Sequence, residues 1–217
     1  EERNEWLTIG WILYNIGDNS PQALEQWMEF SARCEEKYDE ANCIYEWERM
    51  IKKDLTLGTL RYYASIDSPD LYKTFKKEQA EHYVKESLNG SHNDIAKVLY
   101  AEYGNEFVCA SISNKMWFQF RDHRWEEIEE GIFLRERISD EIVEKYSEVG
   151  KEIFTKLASV QDKAEEAMYN ARLKQVQKII GNLKSSPYKN NIMKEAMEVF
   201  YDRRFQQKLD QNPFVIG

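Results

Sequence analysis

Apolar residues recur every three or four positions along the second half of the chain, and this spacing constrains the fold more than any other feature. The repeating positions are Leu134, Ile138, Ile142, Tyr146, Val149, Ile153, Leu157 and Val160. A helix brings residues at this spacing onto one face. The stripe continues less regularly to Leu183. It predicts a long helical bundle within one chain, and a seam between subunits is the alternative.

The first seventy residues predict short helices with an unusual number of aromatic side chains. The first helix presents Trp6, Ile9 and Leu13 on one face and ends at Gly17. Ser20 is expected to cap the next helix, and a third contains Trp47. Aromatic residues at helical spacing usually form a core. A surface for stacking nucleic-acid bases is the alternative for Trp11 and Tyr14.

The periodicity changes to two in the middle of the chain. The alternation predicts a β-hairpin formed by residues 107–112 and 116–120, with a turn at Ser113-Asn114. A second turn, at Asp122-His123, follows it. An acidic run follows, which consists of Glu126, Glu127, Glu129 and Glu130. We expect it to precede a helix, because the helix dipole stabilises carboxylates near the N-terminus. A catalytic carboxylate pair is the alternative, but no suitable partner lies nearby in the sequence.

These patterns predict a mainly α protein of two helical units, the second with the small hairpin and the long bundle. We assign residues 1–68 to the first unit, residues 69–92 to a polar connector helix and residues 93–217 to the second unit. The chain does not begin with Met, and both ends are expected to be cut from a longer protein.

The charge is unevenly distributed. The net charge of the 217 residues is −9, yet residues 1–70 carry −8 and residues 151–217 carry +4. The acidic balance argues against a duplex-DNA binder. We therefore expect any contact with phosphates in the last third. The candidate cations there are Lys174, Lys178, Lys184, Lys189, Lys194, Arg203 and Arg204. Trp117 and Arg121 on the hairpin are further candidates, for base stacking on single-stranded DNA.

The sequence lacks the common catalytic and membrane signatures. It contains no phosphate-binding P-loop, no dinucleotide-binding glycine motif and no zinc-protease motif. The three cysteines and three histidines lack metal-ligand spacing, and the cysteines are expected to be packed as reduced thiols. No apolar run is long enough to span a membrane. We predict that this chain is not itself an enzyme and needs neither cofactor nor metal.

The order of certain residues resembles two known protein families. Residues 3–66 resemble the module that follows the catalytic domain in viral and phage primases. The matching positions are Trp6, Gly10, Leu13, Trp27, Ser31, Tyr38, Trp47, Leu57-Gly58-Thr59-Leu60 and Ala64. Residues 94–217 resemble the region before the ATPase in poxvirus-type primase–helicases of large DNA viruses. The matching features are Tyr103, the Trp117 hairpin, Trp125 and the segment 209–214.

The resemblance implies the middle of a replication protein, with a primase before it and a superfamily-three ring helicase after it. The second unit would then be a collar at the N-terminus of the helicase. The parent protein would use ATP and Mg²⁺, whereas neither active site falls in this chain. The implied partners are the rest of the same chain, single-stranded DNA and other subunits of a ring. The implied location is the host cytoplasm or a viral replication compartment, without secretion. A free-standing helical interaction module, with the 132–183 stripe binding a partner helix, is the alternative.

Overall fold

The computed structural model describes residues 2–53, 55–122 and 124–209, and it confirms that the chain is mainly α-helical. The chain divides into two compact units between Lys73 and Thr74. Two features of the sequence analysis, the turn residue His123 and residues 210–214 of the closing segment, lie outside the described residues.

Unit 1 contains four helices and the start of a fifth. They are α1 (Glu2–Ile16), α2 (Pro21–Ala32), α3 (Glu40–Glu48), α4 (Leu57–Asp67) and α5 (Pro69–Glu86), and α5 continues into unit 2. As predicted, Ser20 caps α2, and its side chain accepts a hydrogen bond from the backbone N–H of Ala23. Asp39 caps α3 in the same way.

Three indole rings form the centre of unit 1. Trp27 is fully buried, and its ring lies 4.7 Å from that of Trp6 and 5.8 Å from that of Trp47. The indole N–H of Trp6 donates to Ser31 Oγ, which itself donates to the carbonyl oxygen of Trp27. The predicted aromatic core is therefore correct, and the polar edge of Trp6 is satisfied inside it.

Two details of unit 1 differ from the sequence interpretation. Cys34 is exposed rather than packed, because α2 ends at Ala32 and Cys34 therefore no longer lies on the buried face of this helix. Trp11 and Tyr14 are half-buried and pack against the aromatic core, and Lys53 covers the Trp11 ring. Their contacts agree with the interpretation as part of the aromatic core.

Unit 2 combines a small sheet with a helical bundle. After α5 and a short 3-10 turn, its elements are α6 (His92–Tyr103), β1 (Phe107–Ser111), β2 (Met116–Arg121), β3 (Arg124–Glu129), α7 (Ile132–Arg137), a π turn (Ile138–Ile142), α8 (Val143–Leu157), α9 (Lys163–Leu183), α10 (Ser186–Val199) and α11 (Phe205–Lys208). Ser91 caps α6, and its side chain accepts a hydrogen bond from the backbone N–H of Asp94.

The sheet has a third strand that the sequence analysis missed. The strands pair antiparallel in the order β1-β2-β3, with Trp117 opposite Cys109 on one side and Ile128 on the other. Three residues of the acidic run, Glu126, Glu127 and Glu129, therefore lie on β3 and not before a helix. Their carboxylates masked the strand pattern, because only Ile128 of the segment 126–130 is buried.

The long apolar stripe forms a bundle inside the chain. Its first six members, from Leu134 to Ile153, are buried in the core of unit 2. The helix then ends at Leu157, and Asp162 caps α9 to form an antiparallel helical hairpin. In the less regular continuation of the stripe, Met168 is 40% exposed, whereas Ile179 and Leu183 are buried in the core of unit 2.

The predicted connector is only partly free of tertiary contacts. The division between units falls inside α5, and Ala80 and Val84 near its end are buried. Val84 belongs to the main core of unit 2. The second half of α5 is thus a core element, because its few apolar residues lie three or four positions apart on one face.

Candidate nucleic-acid interface

The basic side chains proposed as phosphate contacts lie on α9 and α10, and on the segments that follow each of these two helices. Lys174 and Lys178 are exposed on α9, while Val176 and Ile179 of the same helix are buried. The other exposed members are Lys184, Lys194, Arg203 and Arg204. Their cationic groups are therefore accessible to a phosphate backbone.

Lys189 differs from the rest of this group. It is half-buried, and its Nζ donates to Ser139 Oγ over 2.8 Å. The neighbouring Arg135 donates to Asn190 Oδ1 and Ser186 Oγ. Together these bonds tie α10 to α7 and the π turn, so Lys189 has a structural role.

The arginine pair at the end of the chain is held by the sheet. The backbone N–H of Cys109 donates to the carbonyl of Phe200, and Cys109 accepts from the N–H of Asp202. Phe205 then packs on the sheet, with its ring 5.1 Å from that of Phe118. Arg203 and Arg204 are thus exposed on a segment fixed at both sides.

The prediction that Trp117 stacks on the bases of DNA is wrong. Its side chain is 1% exposed, and its ring lies 5.5 Å from the ring of Phe200. Gly131 packs on the same indole: a Cβ there would lie 3.2 Å from the Trp117 ring, and the glycine has a φ of +69°. Strand alternation places Trp117 on the inner face, so a base could reach it only by opening the core.

The exposed aromatic residue of the hairpin is instead Phe120. It lies on the outer face of the sheet and is 43% exposed, and its ring is 5.3 Å from that of Trp125. Phe205 packs edge-on against Trp125. Counting positions from Trp117 could have identified Phe120: successive residues of a strand point to opposite faces, and Phe120 is three positions further along.

Arg121 is available only in part. Its side chain is 47% exposed, but its Nε lies 3.4 Å from a carboxylate oxygen of Glu126. Arg124 contacts the same carboxylate. A phosphate would have to compete with Glu126 for both arginines.

Two carboxylates of the acidic run contact basic side chains. Glu126 pairs with the two arginines just described, and the neighbouring Glu130 pairs with Lys115. In the described ranges, no group of three or more His, Cys, Asp or Glu side chains could hold a metal ion. Across those same residues, no helix is long and apolar enough to cross a membrane.

A network of charged residues supports the sheet from the bundle. Tyr103 donates to Glu141 on the π turn, Arg137 contacts both Glu141 and Glu106, and Gln119 on β2 donates to Glu106. Burial opposes ionisation of Glu141, but the bonds from Tyr103 and Arg137 outweigh it and lower its pKa. Burial and the same carboxylate raise the pKa of Tyr103. The network therefore stabilises the packing of the sheet against the bundle.

A second group of cations was missed by the sequence analysis. Lys85 on α5, Lys156 on α8 and Arg172 on α9 line one cleft of unit 2 with a volume of about 560 Å³. These residues are far apart in the sequence and share no motif. Only the packing of the α8–α9 hairpin against the end of α5 brings them together.

Two family models match the chain in succession. Residues 1–64 match the family described as Primase C terminal 2 (PriCT-2), and residues 96–217 match the family described as D5 N terminal like. The order of the two matches agrees with the two resemblances found from the residues.

Curated proteins of large DNA viruses are similar to nearly the whole chain. "Putative helicase L207/L206" of Acanthamoeba polyphaga mimivirus is 34% identical over 98% of this chain and 22% of its own length. "Putative helicase 022R" of Frog virus 3 is 24% identical over 100% of the chain and 25% of its own length. "Putative primase C962R" of African swine fever virus (isolate Tick/Malawi/Lil 20-1/1983) is 25% identical over 98% of the chain and 24% of its own length.

The chain thus spans about a quarter of the length of these relatives. The D5 N terminal like match covers more than half of the chain, and the primase match covers most of unit 1. This chain belongs to the D5 N-terminal-like family and is a primase–helicase-type module of DNA replication.

Proposed function

We propose that this chain is a non-catalytic segment that links a primase to a superfamily-three helicase and supports DNA handling and assembly. Its partners would be the rest of the same primase–helicase chain, single-stranded DNA held weakly, and neighbouring subunits in a full-length ring. ATP and Mg²⁺ would be used by the parent protein outside these residues. The observation that carries the proposal is the order of the two family matches, primase module first and D5 N-terminal-like region second.

The charge distribution supports a DNA-handling role for the second unit. Unit 1 carries 8 basic and 15 acidic residues, a net charge of −7, whereas unit 2 carries 22 and 24, a net charge of −2. Exposed lysines and arginines are concentrated in the last third of the chain. Such a surface would bind a phosphate backbone weakly and without sequence preference.

The alternative, a free-standing module that binds a partner helix through the 132–183 stripe, loses its main support. The strongest part of that stripe, from Leu134 to Ile153, is buried in the chain's own bundle. A partner helix would have to displace this core, which costs more than a surface contact returns.

A titration with single-stranded DNA tests the proposed DNA contact. We expect the K184Q/K194Q/R203Q/R204Q variant to bind a fluorescein-labelled oligo(dT) of roughly 15 nucleotides more weakly than wild type at low salt. The slope of the logarithmic salt dependence should fall by about 0.7 for each phosphate that the variant no longer neutralises. Lys189 is left unchanged because it bonds Ser139.

The control variant is R33Q/K73Q/K77Q/K97Q, which removes the same charge from exposed positions outside the last third. Equal binding by wild type and both variants would reject the DNA contact. Steady ATP hydrolysis by the pure chain, abolished by a point change within it, would reject the non-catalytic assignment.

A further inference from the structure

The cleft in unit 2 has the chemistry of an anion site. It is lined by Lys85, Lys156 and Arg172, which come from three different helices. Among the residues the structure describes, none makes an ion pair or a hydrogen bond with the side-chain cation of any of these three. Three unpaired cations at one concave surface repel each other, and a bound anion would relieve that repulsion.

The remaining lining restricts the size and charge of the anion. Glu86 and Glu152 also line the cleft, so its five charged groups sum to +1. The volume of about 560 Å³ lies within the range of small-molecule sites. A duplex, with its closely spaced phosphates, would meet these two carboxylates, whereas a single phosphate can contact the cations alone.

Part of the lining of the cleft is suited to contact with a nucleic-acid base. Tyr169 of α9 is half-buried and lines the cleft, as do the apolar residues Leu88, Val149 and Ile153. Bases stack on aromatic side chains largely independently of sequence. Asn89 and Gln175 add amide groups that can both donate and accept hydrogen bonds.

We propose that this cleft binds one nucleotide unit, with its phosphate at Lys85, Lys156 and Arg172 and its base against Tyr169. The unit belongs either to a single-stranded DNA chain or to a free nucleotide, since both offer the same phosphate and base. Taking single-stranded DNA as the source rests on the proposed function. The binding groups differ from Lys174 and Lys178, neither of which lines the cleft.

The main test is the K156Q/R172Q variant, because both residues are exposed and their replacement should leave the fold intact. We expect the affinity for labelled oligo(dT) to fall about tenfold at low salt, and the logarithmic salt slope to fall by about 1.4. The control is K151Q/K163Q, which removes the same charge from exposed positions of the same two helices outside the cleft. It should bind nearly as wild type.

Tyr169 supplies the second measurement. We expect Y169L to weaken oligo(dT) binding about five- to tenfold, and Y169F to retain it, since phenylalanine keeps the stacking face. Thermal unfolding of each variant checks that the bundle is intact. Loss of binding in both Y169L and Y169F, with unchanged melting, would contradict stacking and point to the hydroxyl group.

Competition distinguishes the two sources of the nucleotide. If unlabelled dTTP displaces the oligonucleotide, and the K156Q/R172Q variant also binds dTTP more weakly than wild type, the cleft binds free nucleotides. If only oligonucleotides compete, the cleft takes a unit of the strand.

Wild-type affinity of K156Q/R172Q and Y169L for both probes would overturn the inference. It would leave the proposed function standing if the K184Q/K194Q/R203Q/R204Q variant still bound DNA more weakly than wild type.

Discussion

The two units reach stability by different means. Among the described residues, the buried cluster at the centre of unit 1 has five members, in which Trp27 and Trp47 supply most of the volume. Unit 2 has a core of 23 buried residues, most of them aliphatic and drawn from helices, sheet and α5. A small domain buries a smaller fraction of its surface, so large rings compensate for the short chain. Each indole of unit 1 therefore contributes a larger share of its unit's stability than any one residue of unit 2.

The largest expected effect is that of W27A. Removing a fully buried indole should cost about 3–5 kcal/mol and unfold unit 1. Unit 2 should remain folded, with its own transition in a thermal melt followed by circular dichroism. The matched variant is L134A, which deletes a fully buried side chain of unit 2 and should spare unit 1. A single transition shifted equally by both variants would show that the units unfold together.

The next effect concerns the close approach of α1 to α2. A Cβ at Gly10 would lie 2.5 Å from Cε2 of Trp27, inside the rigid aromatic core. We expect G10A to destabilise unit 1 by about 1–3 kcal/mol through overpacking. Chemical denaturation followed by tryptophan fluorescence measures it. Unchanged stability would mean that the indole cluster is looser than its ring distances indicate.

The pH dependence of unit 2 should depend on Glu141. Folding lowers the pKa of the Glu141 carboxyl group below its ordinary value of 4.5, so the ionised carboxylate stabilises unit 2 fully at pH values above 4.5. This contribution is lost as the pH falls through the lowered pKa. We expect E141Q to cost about 1 kcal/mol at neutral pH and to lessen the acid sensitivity of unit 2. The control is E144Q, an exposed neighbour. Identical pH profiles of E141Q and wild type would contradict the assignment.

The smallest expected effect has the opposite sign. Gly181 lies in α9, and no atom lies within 4 Å of the position where its Cβ would be. Alanine is favoured over glycine in a helix, so G181A should stabilise unit 2 by about 0.5–1 kcal/mol. The melting temperature of unit 2 should rise slightly while that of unit 1 stays constant. A decrease would show that α9 needs the glycine for a reason other than space.

The contrast also extends to surface chemistry. The candidate DNA contacts and the cleft at Lys156 and Arg172 all lie in unit 2, while unit 1 is strongly acidic. We therefore expect single-stranded DNA to bind to unit 2 rather than to unit 1.

Local pattern was sufficient for most helices and for the character of both cores. Helical spacing identified the buried stripe from Leu134 to Ile153, and Ser20 was correctly identified as the cap of α2. Alternation located β1 and β2. These features depend on residues within a few positions of each other, so the sequence contains the information directly.

Tertiary structure decided the rest, because the remaining features depend on contacts between distant segments. The acidic segment became β3 only because β2 offered it an edge, and that pairing placed Trp117 inside and Phe120 outside. α5, polar by sequence, became core where Val84 met the bundle. The convergence of Lys85, Lys156 and Arg172 follows from the packing of three helices, and no spacing along the chain encodes that geometry.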